Sequence, residues 1–205
     1  MLICGRFSYS LSRPLIMGIV NVTPDSFSDG GLFYSPQQAI EQGLRLVEEG
    51  ADILDIGGES TRPGAARVSE QDELNRVLPV LAGLANAGVA LSIDTQKTAV
   101  MRAALAAGAD MVNDVNALQQ AGALAAVAGS QAAVCLMHKQ GDPQTMQKLP
   151  LYHDVVAEVH DFLQARIAAA QVAGIARERI VIDPGFGFGK NLEHNVALLR
   201  QLQDF

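Results

Sequence analysis

The chain has 205 residues, of which 49% are hydrophobic, so it can bury a sizeable core and is not intrinsically disordered. Its formal net charge of −7, with scattered Lys and Arg and no Trp, argues against nucleic acid as a partner. No Pro-, Gly- or charge-rich stretch divides the chain by composition, so we expect one domain over residues 1–205.

The predicted strands alternate with longer segments of helical periodicity from residue 15 onward. This alternation is typical of repeated βα units around a parallel sheet, and we count about six units. Residues 1–14 predict either a short hairpin that covers the bottom of a barrel or a frayed terminus. The six predicted strands are Leu15–Val20, Asp52–Ile56, Val89–Ile93, Met111–Val112, Ala132–Met137 and Ile180–Ile182.

The helices between these strands carry their own start and stop signals. Ser35 before Pro36 predicts a capped helix start, and Gly50 ends that helix. The Ser-Glu-Gln-Asp opening of the next helix is a capping-box pattern. Three further helical segments are predicted at Ser69–Ala87, Tyr152–Ala173 and Leu192–Leu202.

Polar and glycine-rich clusters follow every predicted strand. Because the carboxyl ends of the strands form the active face of a βα barrel, these clusters predict one shared site. For any single Asp at a strand end, capping of the next helix is an equally good explanation. Capping alone, however, does not require long loops such as Asn21–Gly31, Gly57–Gly64 and Asp183–Lys190.

The residue types at these strand ends indicate a flat polar ligand with an anionic tail. Asp94, Asn113 and Asp183 offer acceptors for a heteroaromatic ring whose edge carries amino and ring N–H donors. Thr61 and Arg62 on a glycine-rich loop suit a phosphate. A Mg²⁺ ion beside that phosphate would need only one or two protein oxygens, and Asn21 is placed to supply one.

The same motifs resemble those of the dihydropteroate synthase family, over nearly the whole chain from residue 15. The motifs, in the family's order, are NVTPDSFSDGG at 21–31, DIGGESTRPGA at 55–65, SIDT at 92–95, Asn113–Asp114, MHKQG at 137–141 and DPGFGFGK at 183–190. The resemblance implies an α/β fold of the TIM-type (β/α)₈ barrel family.

Members of this family join 4-aminobenzoate to 6-hydroxymethyl-7,8-dihydropterin diphosphate, which yields dihydropteroate and pyrophosphate. The resemblance implies pterin contacts at Asp94, Asn113, Met137, Asp183 and Phe188. It also implies diphosphate contacts at Thr61 and Arg62, a Mg²⁺ contact at Asn21, and an aminobenzoate pocket at Phe27, Pro63 and Phe188. Asp94, Asp183 and Arg62 are the residues that the resemblance makes catalytic.

The reaction that fits these residues is a dissociative alkyl transfer without a protein nucleophile. Family members are cytoplasmic sulfonamide targets, and the full-length enzymes are generally homodimers. We therefore expect small-molecule substrates and no nucleic-acid or membrane partner.

Two features depart from the family pattern. Lys139 stands where the family usually has a second Met, and it either alters the pocket or faces solvent. A complete barrel runs to about 250 residues, whereas this chain holds about six βα units. We therefore expect a fragment, a truncated gene product or part of a longer enzyme, and little synthase activity from 205 residues alone.

Two other functions are compatible with the same residues. A methyltetrahydrofolate-dependent methyltransferase would share the pterin-binding edge but would not need a diphosphate clamp at Thr61 and Arg62. A truncated or inactive pterin-binding module would bind ligand without turnover.

The remaining sequence features point away from other chemistry. Cys4 and Cys135 form no CxxC pair, so we expect reduced thiols. No histidine pair has metal-ligand spacing. No segment approaches the roughly 18 apolar residues of a membrane helix, and the N-terminus lacks a signal-peptide pattern.

Overall fold

A six-stranded parallel sheet with helices between successive strands organises the chain. The structure, a computed structural model, describes residues 1–23, 35–60, 67–141 and 150–205. The strands are β1 Leu2–Cys4, β2 Phe7–Tyr9, β3 Met17–Asn21, β4 Ile53–Gly57, β5 Ala90–Asp94, β6 Met111–Asp114, β7 Ala133–Met137 and β8 Ile180–Asp183. The helices are α1 Pro36–Glu48, α2 Glu70–Leu84, α3 Thr98–Ala106, α4 Ala123–Ala128, α5 Val155–Val172 and α6 Leu192–Arg200.

Strands β3 to β8 pair in sequence order, each parallel to the next. All six predicted sheet strands are confirmed to within two residues at either end. Their order and the intervening helices give the α/β arrangement of a TIM-type barrel, as predicted. Within the described residues, β3 and β8 are the edge strands of this sheet.

The observed starts of the helices agree only in part with the caps predicted from the sequence. Ser35 occupies the N-cap of α1, but its side chain makes no capping hydrogen bond; Pro36 at the first helical position sets that helix start. Ser69 Oγ accepts from the Asp72 N–H at 3.1 Å, as the capping pattern predicts. The box is one-sided, because the Asp72 carboxylate accepts from Ser69 Oγ instead of reaching the N-cap backbone.

The main core lies between the sheet and the helices. Alternation along each strand sends one set of side chains outward to the helices, including Val20, Leu54, Ile56, Leu91 and Ile93. The other set points into the concave interior. At the amino ends of the strands this interior set is apolar, and near their carboxyl ends it is polar.

An N-terminal hairpin closes the apolar end of the interior. Strands β1 and β2 pair antiparallel, which confirms the hairpin and excludes the frayed alternative. Leu2 and Cys4 pack with the first interior residues of four sheet strands, namely Ile53, Ala90, Met111 and Ala133. The Cys4 thiol is free, and burial raises its pKa to about 12, as expected of an inert core residue.

Asp110 fastens the hairpin to the sheet. Its carboxylate accepts from Arg6 Nε at 3.0 Å, from Arg6 Nη2 at 2.9 Å and from the Arg6 backbone N–H at 3.1 Å. It also accepts from the backbone N–H of Leu91, at the start of β5. Asp110 is 2% exposed, so these bonds satisfy a carboxylate that water does not reach.

No helix among the residues that the structure describes is long and apolar enough to cross a membrane.

The two Asp–Arg pairs of the N-terminal segment provide a matched test of this fastening. Asp110→Ala removes the carboxylate that accepts from the buried Leu91 N–H and frees the hairpin, so we expect a loss of about 2–4 kcal/mol in unfolding free energy. Asp52→Ala breaks the pair with the exposed Arg13 and the bond from the Ile16 N–H, both at the surface, and should cost clearly less. Urea unfolding of both variants measures the difference, and equal losses would contradict the assigned role of Asp110.

Candidate functional site

The polar residues of the interior gather at the carboxyl ends of β4 to β8. The register pairs Asp55 with Ser92, Gly57 with Asp94, and Asp94 with Asn113. Further along the sheet it pairs Asn113 with Cys135, and Met137 with Asp183. Because side chains alternate along a strand, these residues share the interior face. The structure therefore brings together the predicted pterin contacts Asp94, Asn113, Met137 and Asp183.

Asp94 is surrounded by other carboxylates. Burial raises its pKa well above the ordinary value, and the charges of Asp55, Glu73, Asp114 and Glu59 raise it further. Desolvation and like charge both disfavour ionisation here. A ligand that donates N–H bonds to this carboxylate would relieve both effects.

Asp55 is a site residue that the sequence analysis placed only within a motif. Its side chain is 3% exposed, and its Oδ2 accepts from Asn113 Nδ2 at 2.8 Å. Burial raises the pKa of Asp55, while the nearby Ser92 hydroxyl and the Asn113 amide oppose the shift. A charged residue in the middle of the otherwise apolar strand ILDIG was the signal for it.

Asp183 and the loop after β8 border the opposite side of the interior. The Gly185 N–H donates to Asp183 Oδ1 at 2.7 Å, and the Phe188 N–H donates to the Gly185 carbonyl at 3.1 Å. These bonds fold the loop into a turn, in which Phe188 is partly buried. Met137, 4% exposed, lies opposite Asp183 on the neighbouring strand.

Two glycines allow the loops after β7 and β8 to touch. A Cβ on Gly185 would lie 1.9 Å from the His138 carbonyl oxygen, and one on Gly189 would lie 2.3 Å from the Gln140 carbonyl oxygen. Both glycines also have positive φ, 71° and 64°. Gly185 and Gly189 of the motif DPGFGFGK therefore allow close backbone contact between two loops of the site.

Lys190 links the loops after β7 and β8 through hydrogen bonds. Its ammonium donates to His138 Nδ1 at 2.9 Å, to the Gly185 carbonyl at 3.0 Å and to the Phe188 carbonyl at 3.1 Å. Burial lowers its pKa to about 8. Burial and the adjacent ammonium lower the pKa of His138 to about 4, so this histidine is neutral and accepts at Nδ1.

A buried ion cluster lies behind the loops after β4 and β5. The Lys97 ammonium pairs with Glu59 at 2.5 Å and with the fully buried Glu73 of α2. The other Glu59 oxygen accepts from the Val68 N–H at 3.0 Å. Glu59 thus connects the two described sides of the segment 61–66 to Lys97.

Two strand-end residues have surroundings that the sequence did not resolve. Asp114 points toward the helices, where its carboxylate accepts from the N–H groups of Asn116 and Leu118, both at 2.7 Å, and burial raises its pKa to about 6. It therefore braces a turn. Lys139 is partly buried, and its ammonium lies 3.3 Å from Gln96 Oε1, so it belongs to the loop contacts at the site rim.

Asn21 lies at the carboxyl end of β3, where its side chain is exposed. Within the described residues no group of three or more His, Cys, Asp or Glu side chains is arranged to hold a metal ion. The predicted residues Phe27, Thr61, Arg62 and Pro63 lie outside the described residues.

The described part of the site is thus a row of oxygen acceptors on an apolar floor. Asp94, Asn113 and Asp183 line the mouth, and Met137 supplies an apolar contact. Such a surface fits a flat ring whose edge donates several N–H bonds.

Comparison with known proteins gives the same picture. A profile of the pterin binding enzyme family matches residues 17–205. The dihydropteroate synthase of Escherichia coli strain K12 is 51% identical over 199 residues, which cover 97% of this chain and 71% of that protein. The dihydropteroate synthase of Neisseria meningitidis serogroup B is 54% identical over 205 residues, or 98% of this chain and 72% of that protein.

Solved structures of similar proteins share the fold. Burkholderia cenocepacia dihydropteroate synthase, complexed with 7,8-dihydropteroate, superposes with a TM-score of 0.89 at 52% identity, covering 99% of this chain and 70% of that one. The Xanthomonas albilineans enzyme with 4-aminobenzoic acid gives a TM-score of 0.88 at 58% identity, covering 95% and 69%. The Yersinia pestis enzyme in a sulfonamide drug complex gives 0.92 at 50% identity, covering 99% and 74%.

Replacing Lys190 tests the brace between the two loops. Lys190→Met leaves the Gly185 and Phe188 carbonyls without their ammonium donor in a buried region, so we expect a loss of roughly 2–4 kcal/mol in unfolding free energy. Arg45→Met, on the exposed face of α1, should change stability by less than about 0.5 kcal/mol. Chemical denaturation compares the two, and a stability loss no larger for Lys190→Met would contradict the brace.

The depressed pKa of His138 predicts a pH dependence of stability. Because the folded pKa of about 4 lies below the ordinary histidine value of 6.5, the unfolded chain binds the proton first as pH falls. The stabilisation is complete above pH 6.5 and is lost between 6.5 and 4, by up to about 3 kcal/mol. His138→Gln should therefore show a shallower decline in unfolding free energy than the wild type over this range, and parallel curves would refute the prediction.

Proposed function

Because the chain belongs to the dihydropteroate synthase family, we propose that it binds 6-hydroxymethyl-7,8-dihydropterin diphosphate and 4-aminobenzoate and joins them. The products are 7,8-dihydropteroate and pyrophosphate. The row of acceptors at Asp94, Asn113 and Asp183 is the observation that carries the proposal.

The edge of a pterin ring carries the N–H donors that this row of acceptors requires. An aminopyrimidinone ring presents an exocyclic amino group and a ring N–H side by side, and a carboxylate can accept from both. Such bonds favour the ionised form of Asp94, whose pKa the surrounding carboxylates raise. Binding of the ring would therefore stabilise negative charge beside it.

The chemistry follows from that charge. The C–O bond between the pterin methylene and the diphosphate breaks, and the electron pair leaves with pyrophosphate. The carboxylates of Asp94 and Asp183 stabilise the positive charge that remains on the methylene and ring. The amino nitrogen of 4-aminobenzoate then forms the new C–N bond and loses a proton, so orientation and electrostatics suffice without a protein nucleophile.

The diphosphate and the aminobenzoate are assigned to residues outside the described ranges. Thr61 and Arg62 would hold the diphosphate, because a hydroxyl and a planar cation suit phosphate oxygens. Phe27 and Pro63 would border the aminobenzoate together with Phe188. The 4-aminobenzoic acid in the Xanthomonas albilineans structure supports a pocket of this kind.

A Mg²⁺ ion fits this arrangement as a companion of the diphosphate. Asn21 offers one exposed amide oxygen at the mouth, which is what an ion that keeps its waters and binds substrate oxygens requires. When bound, Mg²⁺ would neutralise charge on the leaving pyrophosphate.

The proposal also includes two expectations about the enzyme in the cell. We expect a cytoplasmic location and, for the full-length enzyme, a homodimer. Sedimentation analysis of that enzyme measures its assembly state.

Calorimetric titration of the 205-residue chain tests the proposal. We expect Mg²⁺-dependent binding of the dihydropterin diphosphate, and binding of 4-aminobenzoate that is stronger when pyrophosphate and Mg²⁺ are present. Asp94→Asn should weaken pterin binding by about tenfold or more, because the amide presents one acceptor and one donor where the carboxylate presents two acceptors to the adjacent N–H groups. Asp161→Asn, an exposed carboxylate on α5 with 85% side-chain exposure, is the matched control.

The outcomes separate the possible functions. Absence of pterin binding by a folded chain would refute the proposal. Binding without product formation agrees with the low activity that we expect from 205 residues alone and is shared with a non-catalytic module, whereas binding of the pterin with no contribution from the diphosphate would favour a methyltransferase relative.

A further inference from the structure

Asp55 occupies an unusual position for a carboxylate. It points into the interior from the middle of β4, between Ile19 on β3 and Ser92 on β5. It lies one interior position below Gly57, which is the register partner of Asp94. Only 3% of its surface is exposed, and no cation pairs with it among the described residues. A carboxylate in such a place costs stability unless hydrogen bonds or opposite charges compensate for its lost hydration.

The hydrogen bond between Asp55 and Asn113 determines how Asn113 faces the site. Asn113 Nδ2 donates to Asp55 Oδ2 at 2.8 Å, and an accepting carboxylate oxygen holds the nitrogen of the amide toward itself. The carbonyl Oδ1 of Asn113 is then the atom left free for a ligand at the mouth. Without that restraint an asparagine amide can present either its acceptor or its donor.

We propose that Asp55 is a positioning residue that fixes the Asn113 amide with its acceptor toward the pterin ring. This inference rests on the proposed function. It adds a reason why the site selects a ring that donates hydrogen bonds. Asp55 acts through Asn113 and does not itself touch the ring.

The surroundings of Asp55 agree with a role other than packing. Asp55 Oδ1 and Ser92 Oγ are both buried, and within the described residues neither makes a hydrogen bond of good geometry, although the Ser92 hydroxyl is close enough to lower the pKa of Asp55. An arrangement that served stability alone would satisfy these atoms or replace them with apolar groups. Instead, one carboxylate oxygen of Asp55 orients Asn113 at the mouth of the site.

Binding of two pteridines tests the inference. The probes are 6-hydroxymethylpterin and its 2-oxo analogue, in which an oxo group replaces the donating amino group. Neither carries a diphosphate, so their binding does not depend on Thr61 and Arg62. In Asp55→Asn the new amide can donate to Asn113 Oδ1. The Asn113 amide can then turn its Nδ2, instead of its Oδ1, toward the ligand. We expect about tenfold weaker binding of the pterin and a smaller preference for it over the 2-oxo analogue.

A double-mutant cycle separates positioning from direct contact. In an Asn113→Ala background, Asp55→Asn should have little further effect on pterin affinity, because there is no amide left to orient. An equal loss in both backgrounds would mean that Asp55 contacts the ring itself, which would overturn the inference. Asp161→Asn again serves as the carboxylate control.

A reciprocal variant covers the case in which Asp55→Asn folds poorly. Asp55→Asn combined with Asn113→Asp restores an amide–carboxylate bond and keeps an acceptor at position 113. This double variant should bind the pterin more tightly than Asn113→Asp alone, in which two carboxylates face each other, and no gain would count against the inference. If the wild type binds neither pteridine, the proposed function fails; if it binds and Asp55→Asn binds equally well, only the inference fails.

Discussion

The register of the parallel strands determines which side chains share the interior. Parallel pairing aligns Asp55 with Ser92 and Asp94 with Asn113, and alternation sends all four to the same side of the sheet. A shift of one residue in any strand would move its polar residues toward the helices, among Leu54 and Ile93. The apolar helix-side core therefore fixes the register, and the register in turn assembles the acceptors.

The interior is divided along its axis by polarity. The hairpin and residues such as Ile53 and Met111 line the amino end with apolar groups. Carboxylates concentrated at the other end are poorly hydrated and repel one another, as the raised pKa of Asp94 indicates. A site in that state favours a ligand that brings several N–H donors, so the same desolvation that costs stability contributes to recognition.

Much of the fold could be predicted from sequence because strand position and strand-end chemistry are local signals. The six sheet strands and the sharing of one face by Asp94, Asn113 and Asp183 follow from β-branched runs and from the loops after them. Pairings across the chain leave no such signal: neither the Lys190–His138 contact nor the Lys97–Glu73 pair is visible before the loops are placed. Asp55 was visible as a charge in an apolar strand, but its partner Asn113, 58 residues away, was not.

The attachment of the hairpin has a consequence for how the chain acquires its structure. Arg6 and Asp110 are 104 residues apart, so the hairpin lacks this anchor until β6 has been synthesised, although its packing partners Ile53 and Ala90 are made earlier. Contacts of such long sequence separation form late because they require prior closure of a large loop. The lower end of the interior therefore stays open during synthesis, and its apolar residues are exposed until the first strands return to cover them.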